Sequence, residues 1–340
     1  MKLTRKKLLG GFLILLALSI LGGFILFEYS VKWLEKEISL TKIRLEQQGY
    51  AVSYSSISIT GNPLLMEIRL ENPSLKERQE TWAWQGKELV ISVYPWKPYI
   101  WTCSFSGNHK VTALKNAPIP LGTLSIERAL GVFTLSSEGK LEQADFKVGA
   151  ITSLLETQVQ SVSLKNLSLN MTQLNHPLNS KFTFTTEVVN LESLLKAAPL
   201  DYPLILNIEG ELSGYTLKTS SPRSLSQWRD GGGIMNIISL NISWPPISAE
   251  AEGTLTLDKN MYLLGSFSSK IIGYQEALED MVKLGWIKKK KALMASFILE
   301  LFTTTDGSGS KQLTVPITLQ NGMISVGPAP LIKLQPLEDI

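Results

Sequence analysis

Two periods of hydrophobic alternation divide this chain. Between residues 30 and 48, Val31, Leu34, Ile38 and Leu45 recur near every 3.6 positions with lysines and glutamates between them, and Gly49 follows. That spacing lines one face of a helix and places a glycine at its end. Beyond it the period falls to two, as in strands with one apolar and one polar face. Leu204, Leu206, Ile208 and Leu212 alternate with Asn207, Glu209 and Glu211, and Ile238, Leu240, Ile242 and Trp244 alternate with Ser239, Asn241 and Ser243. Ile247, Ala249, Ala251, Leu255 and Leu257 fall on one side of a strand whose other side is Ser248, Glu250, Glu252, Thr254 and Thr256. Asp258-Lys259-Asn260 then turns the chain into Met261, Leu263 and Phe267. Leu313, Val315, Ile317 and Leu319 run into Asn321-Gly322, a two-residue hairpin signal. Phe182 and Phe184 face away from Thr183 and Thr185, and the change of phase from Val162/Leu164 to Leu167/Leu169/Met171 predicts a bulge. The pattern predicts a mainly β fold: an N-terminal helix, then a long curved antiparallel sheet or groove with a few short helices.

Those helices are predicted at 191–198, at 222–229 after Ser221 as N-cap, at 274–284 before Gly285, and at about 288–302, a segment too apolar to be exposed all round. Asp306-Gly307-Ser308-Gly309 is the loop leaving the last one. No linker divides residues 50–340, and 50–200 and 201–340 are expected as sub-sheets of one layer.

Residues 8–27 (LLGGFLILLALSILGGFILF) contain no charge. A helix of that length rises about 30 Å, the thickness of a bilayer's hydrocarbon. Lys2, Arg5, Lys6 and Lys7 precede it and Glu28 follows, so the charge bias places the N-terminus in the cytoplasm. The expected order is a cytoplasmic basic tail (1–7), a transmembrane signal anchor (8–27) in the bacterial inner membrane, a juxtamembrane helix (30–48) and a periplasmic β-rich domain (50–340). A cleaved signal peptide is the competing reading. Ala17 and Ser19 offer a small-x-small site, but Ile20, Leu21, Phe24, Ile25, Leu26 and Phe27 prolong the apolar run past it. Ser19 and Gly23 also form a small-xxx-small pair, which lipid-facing filler explains as well.

Of 340 residues 44 % are hydrophobic and 19 % charged, enough to bury a core. A single cysteine, Cys103, excludes a disulfide framework and a thiolate metal cage. Two histidines, His109 and His176, are too few for a histidine-built zinc site. The pI of 8.7 is local in origin. With the four tail cations set aside, 29 basic residues face 30 acidic ones, so no field sized for nucleic acid remains.

Candidate chemistry is sparse. The chain has no Walker-type loop, H-E-x-x-H, C-x-x-C or G-x-S-x-G motif. Gly231-Gly232-Gly233 precedes a strand and reads as a turn before an anion cradle, and Ser308 sits in a Gly/Ser loop. His109 and His176 lie in loop-like contexts, each a general base only if partners gather around it. Glu250 and Glu252 share the polar face of a strand, where a solvated surface or a carboxylate pair would both place them. Lys288 to Lys291 is solvated charge or a contact for anionic headgroups. Tyr94-Pro95-Trp96-Lys97-Pro98-Tyr99-Ile100-Trp101 fits either a membrane–water boundary or the closed end of a β-layer.

From Trp228 onward the order of elements is distinctive: Trp228-Arg229-Asp230-Gly231-Gly232-Gly233, then LNISWP at 240–245, then Ala249-Glu250-Ala251-Glu252-Gly253-Thr254-Leu255 with Leu257-Asp258. Gly265-Ser266-Phe267, Ile271-Ile272-Gly273-Tyr274, VPITLQNG at 315–322, VGPAPL at 326–331 and Gln335-Pro336-Leu337 follow. Upstream stand Gln48-Gly49-Tyr50, Gly61-Asn62-Pro63, Trp84, Gly139-Lys140-Leu141 and Ala144-Asp145-Phe146. The chain thereby resembles the uncharacterised bacterial "domain of unknown function 2125" family, membrane-anchored and of alphaproteobacterial type. It departs from that pattern at Asn62, where relatives carry a Gly-Phe-Pro turn, and in the lack of a proline before Gly265. The resemblance implies a membrane-anchored, exported, β-rich body and supplies no activity or catalytic residue; at fold level it is similar to anchored, repetitive β proteins of the bacterial envelope.

The expected function is a non-enzymatic, single-pass, inner-membrane-anchored periplasmic protein whose apolar groove shields lipid or another envelope component. The alternative is an envelope scaffold with a closed β core that binds protein partners, and the third reading is a hydrolase with a site assembled from scattered residues. No catalytic, cofactor-binding or metal-ligating residue is assigned, no cofactor is expected, and the partners expected are the membrane and lipid or envelope proteins, not nucleic acid.

Overall fold

A computed structural model describes residues 2–47, 49–77, 82–113, 123–138, 140–154, 161–174, 179–190, 203–214, 225–283, 285, 287–305 and 311–337, with the backbone alone at 2–21, at 26 and at a few strand ends. The first element is one helix, α1 (Lys2–Gln47). The basic tail, span and juxtamembrane helix expected from sequence all fall along this one continuous helix, because nothing between Glu28 and Ser30 breaks helical geometry. Among the described residues no helix is long and apolar enough to cross a membrane. The expected span, 8–27, falls mostly on positions whose side chains lie outside the described residues. Further along, the 3.6-residue stripe does what its spacing predicts: Leu34 is buried with Met66, Ile68 and Val93, flanked by Phe27, Val31 and Ile38. This segment therefore packs on the first strands.

All the strands belong to one antiparallel sheet. Its first part is made of short strands: β1 (Tyr50–Ser53), β2 (Ser56–Asn62), β3 (Leu65–Glu71), β4 (Ser74–Glu77), β5 (Trp82–Gln85), β6 (Glu88–Tyr94), β7 (Lys97–Ser106) and β8 (His109–Ala113). Long strands continue it: β9 (Thr123–Leu135), β10 (Leu141–Leu154), β11 (Ser161–Gln173), β12 (Asn179–Asn190) and β13 (Leu204–Ser213). After a short helix, α2 (Leu225–Asp230), come β14 (Ile234–Trp244), β15 (Ile247–Leu257) and β16 (Leu263–Ile272). Two helices, α3 (Tyr274–Lys283) and α4 (Lys289–Glu300), precede β17 (Thr303–Thr305), β18 (Lys311–Gln320), β19 (Met323–Val326) and β20 (Ala329–Lys333).

From β9 to β16 each strand pairs with the next, so 50–200 and 201–340 are one layer joined through β12 and β13. Strand β9 is a branch point. One edge pairs with β10, while the other pairs with β8 at His109–Thr112 and with β7 at Ile100–Phe105, the two lying end to end. Strand β18 branches likewise, with β16 on one edge and β17 and β19 in succession on the other. Among the described residues no ladder joins the outer strands into a barrel, so the sheet is open.

The turns follow local chemistry. Asn321 and Gly322 both have positive φ (52° and 70°), the geometry of a two-residue hairpin turn. The Asp258 carboxylate accepts from the Asn260 and Tyr262 amides at 2.8 and 2.9 Å, closing the predicted turn. Met261, expected on the next strand, sits in that turn at φ 64°. The glycine triplet is a seat for Trp228: a Cβ at Gly233 would lie 2.3 Å from its indole, whose Nε1 donates to the Ser213 carbonyl at 2.8 Å. The expected phase switch in β11 is a register shift between Lys165 and Ser168, with Asn166 at φ 50°.

Helices α3 and α4 cover one end of the sheet, where Tyr274, Leu278, Ala292, Ala295 and Leu299 pack on Leu313, Val315 and Val326. Glu300 fastens the end of α4, accepting from Tyr274 Oη, Gln275 Nε2 and Lys311 Nζ, each at 2.7 Å. Lys311, then Tyr274, hold its carboxyl below the ordinary carboxylate range. A depressed pKa stabilises the fold above the unfolded value, and that contribution is lost as pH falls through the folded value. The expected helix at 191–198, the first part of that at 222–229 and the loop 306–309 lie outside the described residues.

Leu313 is fully buried in this cap, so Leu313→Ala is expected to cost about 3 kcal/mol. Urea unfolding followed by circular dichroism measures this; a change under about 0.5 kcal/mol would show that the helical cap is not packed as described.

Candidate functional site

Register, more than any single side chain, builds the feature with functional potential. Direct cross-strand partners form a row across the sheet: Met66, Val93, Trp101, Phe133, Ala144, Met171 and Phe182. The same row continues through Gly210, Ile237, Gly253, Phe267, Ile317 and Val326. Each member is apolar or glycine. Its two interior glycines lie under rings, since a Cβ at Gly210 would stand 2.9 Å from Phe182 and one at Gly253 2.9 Å from Phe267. The next row runs from Ile68 and Ile91 through Cys103, Gly131, Phe146, Leu169, Phe184 and Ile208 to Leu240 and Ala251. Its polar member, Ser269, donates to the Val315 carbonyl at 2.7 Å, which removes its demand for water.

Among the described residues, helices cover this face only at its ends. Helix α1 lies over β3 and β6, and α3 and α4 lie by β16 to β20. Between them a third cluster joins Phe182, Ile237, Phe267 and Leu319 to half-buried Met171, Ile208, Leu212, Leu240 and Leu255, and no helix belongs to it among the described residues. An apolar strip, the trough, is thus left on this face without helical cover among the described residues, with Phe182, Ile237 and Phe267 buried and their neighbours half-buried.

The trough's floor near β9 is aromatic. Trp84 stacks on His109 (centroids 5.8 Å apart, planes at 6°), Phe105 meets His109 edge-on at 5.3 Å, and Phe146 contacts Phe105 and Phe133 at 6.2 and 5.7 Å. His109 was expected in a loop; it lies instead on β8 at 1 % exposure. The rings of Trp84 and Phe105 pack against it there. Burial pushes the Cys103 thiol up to about 11.

The aromatic segment predicted from sequence divides between tip and floor. Trp101 belongs to the trough row and donates from Nε1 to the Pro98 carbonyl at 2.9 Å. Tyr94, Trp96 and Tyr99 are exposed at the β6–β7 hairpin tip, and α1 presents exposed Tyr29 and Trp33. A cavity of about 380 Å³ between them is lined by Tyr29, Trp33, Leu34, Met66, Val93 and Trp101. The β2–β3 tip adds Leu64, and its Pro63 stands 3.5 Å from where a Cβ on Gly23 would lie. These residues form an aromatic collar where α1 leaves its uncharged stretch.

Glu250 and Glu252 project from the opposite, polar face, which alternates along β15 as the sequence predicts. With Asn241, Ser268, Lys270 and Thr314 they border a cavity of about 460 Å³. Glu250 is in register with Lys270, so one carboxylate has a cation as neighbour. Among the described residues no three His, Cys, Asp or Glu side chains are grouped to hold a metal ion. His176 and Ser308 lie outside the described residues. Apart from the aromatic segment 94–101, the lining contributed by β2 to β8 has little sequence signal, although Ile57-Ser58-Ile59 and Trp82-Ala83-Trp84 carry the alternation in miniature.

Residues 34–335 match the family described as "uncharacterized protein conserved in bacteria (DUF2125)". No curated protein and no solved structure matches the chain.

A thiol raised from 9.0 to about 11 exposes far less thiolate at pH 8. Iodoacetamide is therefore expected to leave Cys103 of the folded protein unmodified and to alkylate it promptly in denaturant, read by intact mass. Folded-state stability should also fall as pH rises from 9.0 toward 11, because only the unfolded thiol ionises there. Equal alkylation rates in both states would show that the β7 face is open to water.

Proposed function

The chain belongs to the DUF2125 family, and on the geometry we propose that it is a non-enzymatic bacterial envelope protein, tethered to the inner membrane by α1, whose trough shields a lipid acyl chain. The observation that carries this reading is the mismatch between apolar face and cover. Thirteen strands share one apolar row from β3 to β19, and among the described residues helices screen only its ends. Along this stretch Phe146, Leu169, Phe184, Ile208 and Leu240 stay half-exposed with no described helix over them, and an apolar strip so placed marks a site for an apolar partner. An extended acyl chain suits it, because the lining supplies contact area without convergent hydrogen-bonding groups.

Two features support the tether. Residues 8–27 carry no charge and follow four cations, the arrangement that holds an N-terminus on the cytoplasmic side. The collar of Tyr29, Trp33, Tyr94, Trp96 and Tyr99 supplies amphipathic rings of the kind that settle at a membrane–water boundary. The trough begins at that collar, through Trp101 and Met66, so an acyl chain leaving the bilayer meets apolar side chains without crossing water.

Full-length protein extracted in mild detergent and analysed by native mass spectrometry is expected to retain phospholipid. Leu169→Lys with Phe184→Lys, placed on the uncovered stretch, should reduce the retained lipid several-fold while the circular dichroism spectrum is kept. Protein that is consistently empty, or retention indifferent to both lysines, would overturn the proposal.

A further inference from the structure

Helix α4 has two apolar faces, and only one is used by the fold. Ala292, Ala295 and Leu299 are buried, the two alanines allowing close approach to the sheet and α3. Leu293, Met294, Phe297 and Leu301 turn away from it, 63 %, 58 %, 76 % and 74 % exposed, and Phe302 adds to the same exposed surface. A helix that is apolar all round is ordinarily buried all round. Here the outer half meets solvent as one run of large apolar side chains, the kind of surface that marks an interaction site.

The neighbouring charge identifies what would cover it. Lys288, Lys289, Lys290 and Lys291 are all exposed at the N-terminal end of α4, whose first turn has no acidic residue and whose N-cap makes no side-chain hydrogen bond. Four cations at the positive end of a helix dipole oppose that dipole. An anionic surface reverses the penalty. Lys289 also borders the cleft between α3 and α4 with Glu276 and Glu279, so Lys288, Lys290 and Lys291 carry the greater part of the outward charge. Lysines beside a Phe/Leu/Met stripe are the chemistry of helices that lie in the headgroup region of anionic bilayers.

We propose that α4 docks on an anionic phospholipid surface, with its lysines among the headgroups and Phe297 and Leu301 at the acyl boundary. This contact is distinct from the α1 tether. Eleven strand spacings separate β3 from β18, about 50 Å measured along the sheet. It also does not depend on what the trough holds.

The test uses the full chain carrying Cys103→Ser and Phe297→Cys, labelled at position 297 with a polarity-sensitive fluorophore. The protein is reconstituted with vesicles of phosphatidylcholine alone or mixed with phosphatidylglycerol. Blue-shifted emission, severalfold brighter than in water, is expected with phosphatidylglycerol and not with phosphatidylcholine alone. Lys288→Glu, Lys290→Glu and Lys291→Glu together should return it to the aqueous value. A label at Glu250→Cys on the polar sheet face is expected to stay water-like throughout. Water-like emission from position 297 with phosphatidylglycerol would overturn the proposal, as would an apolar signal equal in both lipids and untouched by charge reversal. Flotation of the labelled protein with phosphatidylcholine vesicles reports the α1 tether separately.

Discussion

Side chains on a strand alternate with a period of two, so a slip of one residue would move a strand's apolar set to the wrong face. Everything described above depends on that register being held from β3 to β19. The chain preserves it through irregularities. Between Lys165 and Ser168, and again between Ile237 and Leu240, the pairing shifts so that both flanking segments keep their apolar residues on the trough side. Glycines complete the arrangement where rings cross the strands, at Gly131 beneath Phe133 and Phe146 as well as at Gly210 and Gly253. Register, bulges and glycines together produce an apolar face wider than the described helices screen.

The unequal cover organises the molecule. At one end α1 seals β3 and β6 through Leu34; at the other, α3 and α4 seal β16 to β20 through Leu299 and Leu313. Both caps leave apolar or aromatic groups facing outward, the collar at the first and the α4 stripe at the second. Each of these surfaces is one that an apolar partner would cover.

Much of the β character was legible because strands such as β15 sit with one face in and one face out, so period two survives along their length. The hairpin at Asn321-Gly322 was legible because positive φ at both positions favours those residues. Ile238 was misassigned to the inner face. The bulge beside it turns Ile237 inward and leaves Ile238 44 % exposed, and a bulge of this kind keeps the local alternation of apolar residues while shifting its phase. His109 reads as a loop residue from Gly107-Asn108 before it, yet β9 and the rings of Trp84 and Phe105 enclose it, a long-range pairing that local sequence does not encode. The short strands β1 to β8 gave too few periods to read. The trough itself was visible only as an excess of one-sided strands, since which residues share a row depends on pairings far apart in sequence.

The openness of the trough is tested most directly inside the cell. A photo-crosslinking phenylalanine at position 184, midway along the uncovered stretch, captures whatever lies against that face when illuminated, and the mass of the adduct identifies it. An adduct heavier by one phospholipid is expected. Crosslinks only to other strands of the same chain, or to a single protein partner, would contradict an open, lipid-shielding trough.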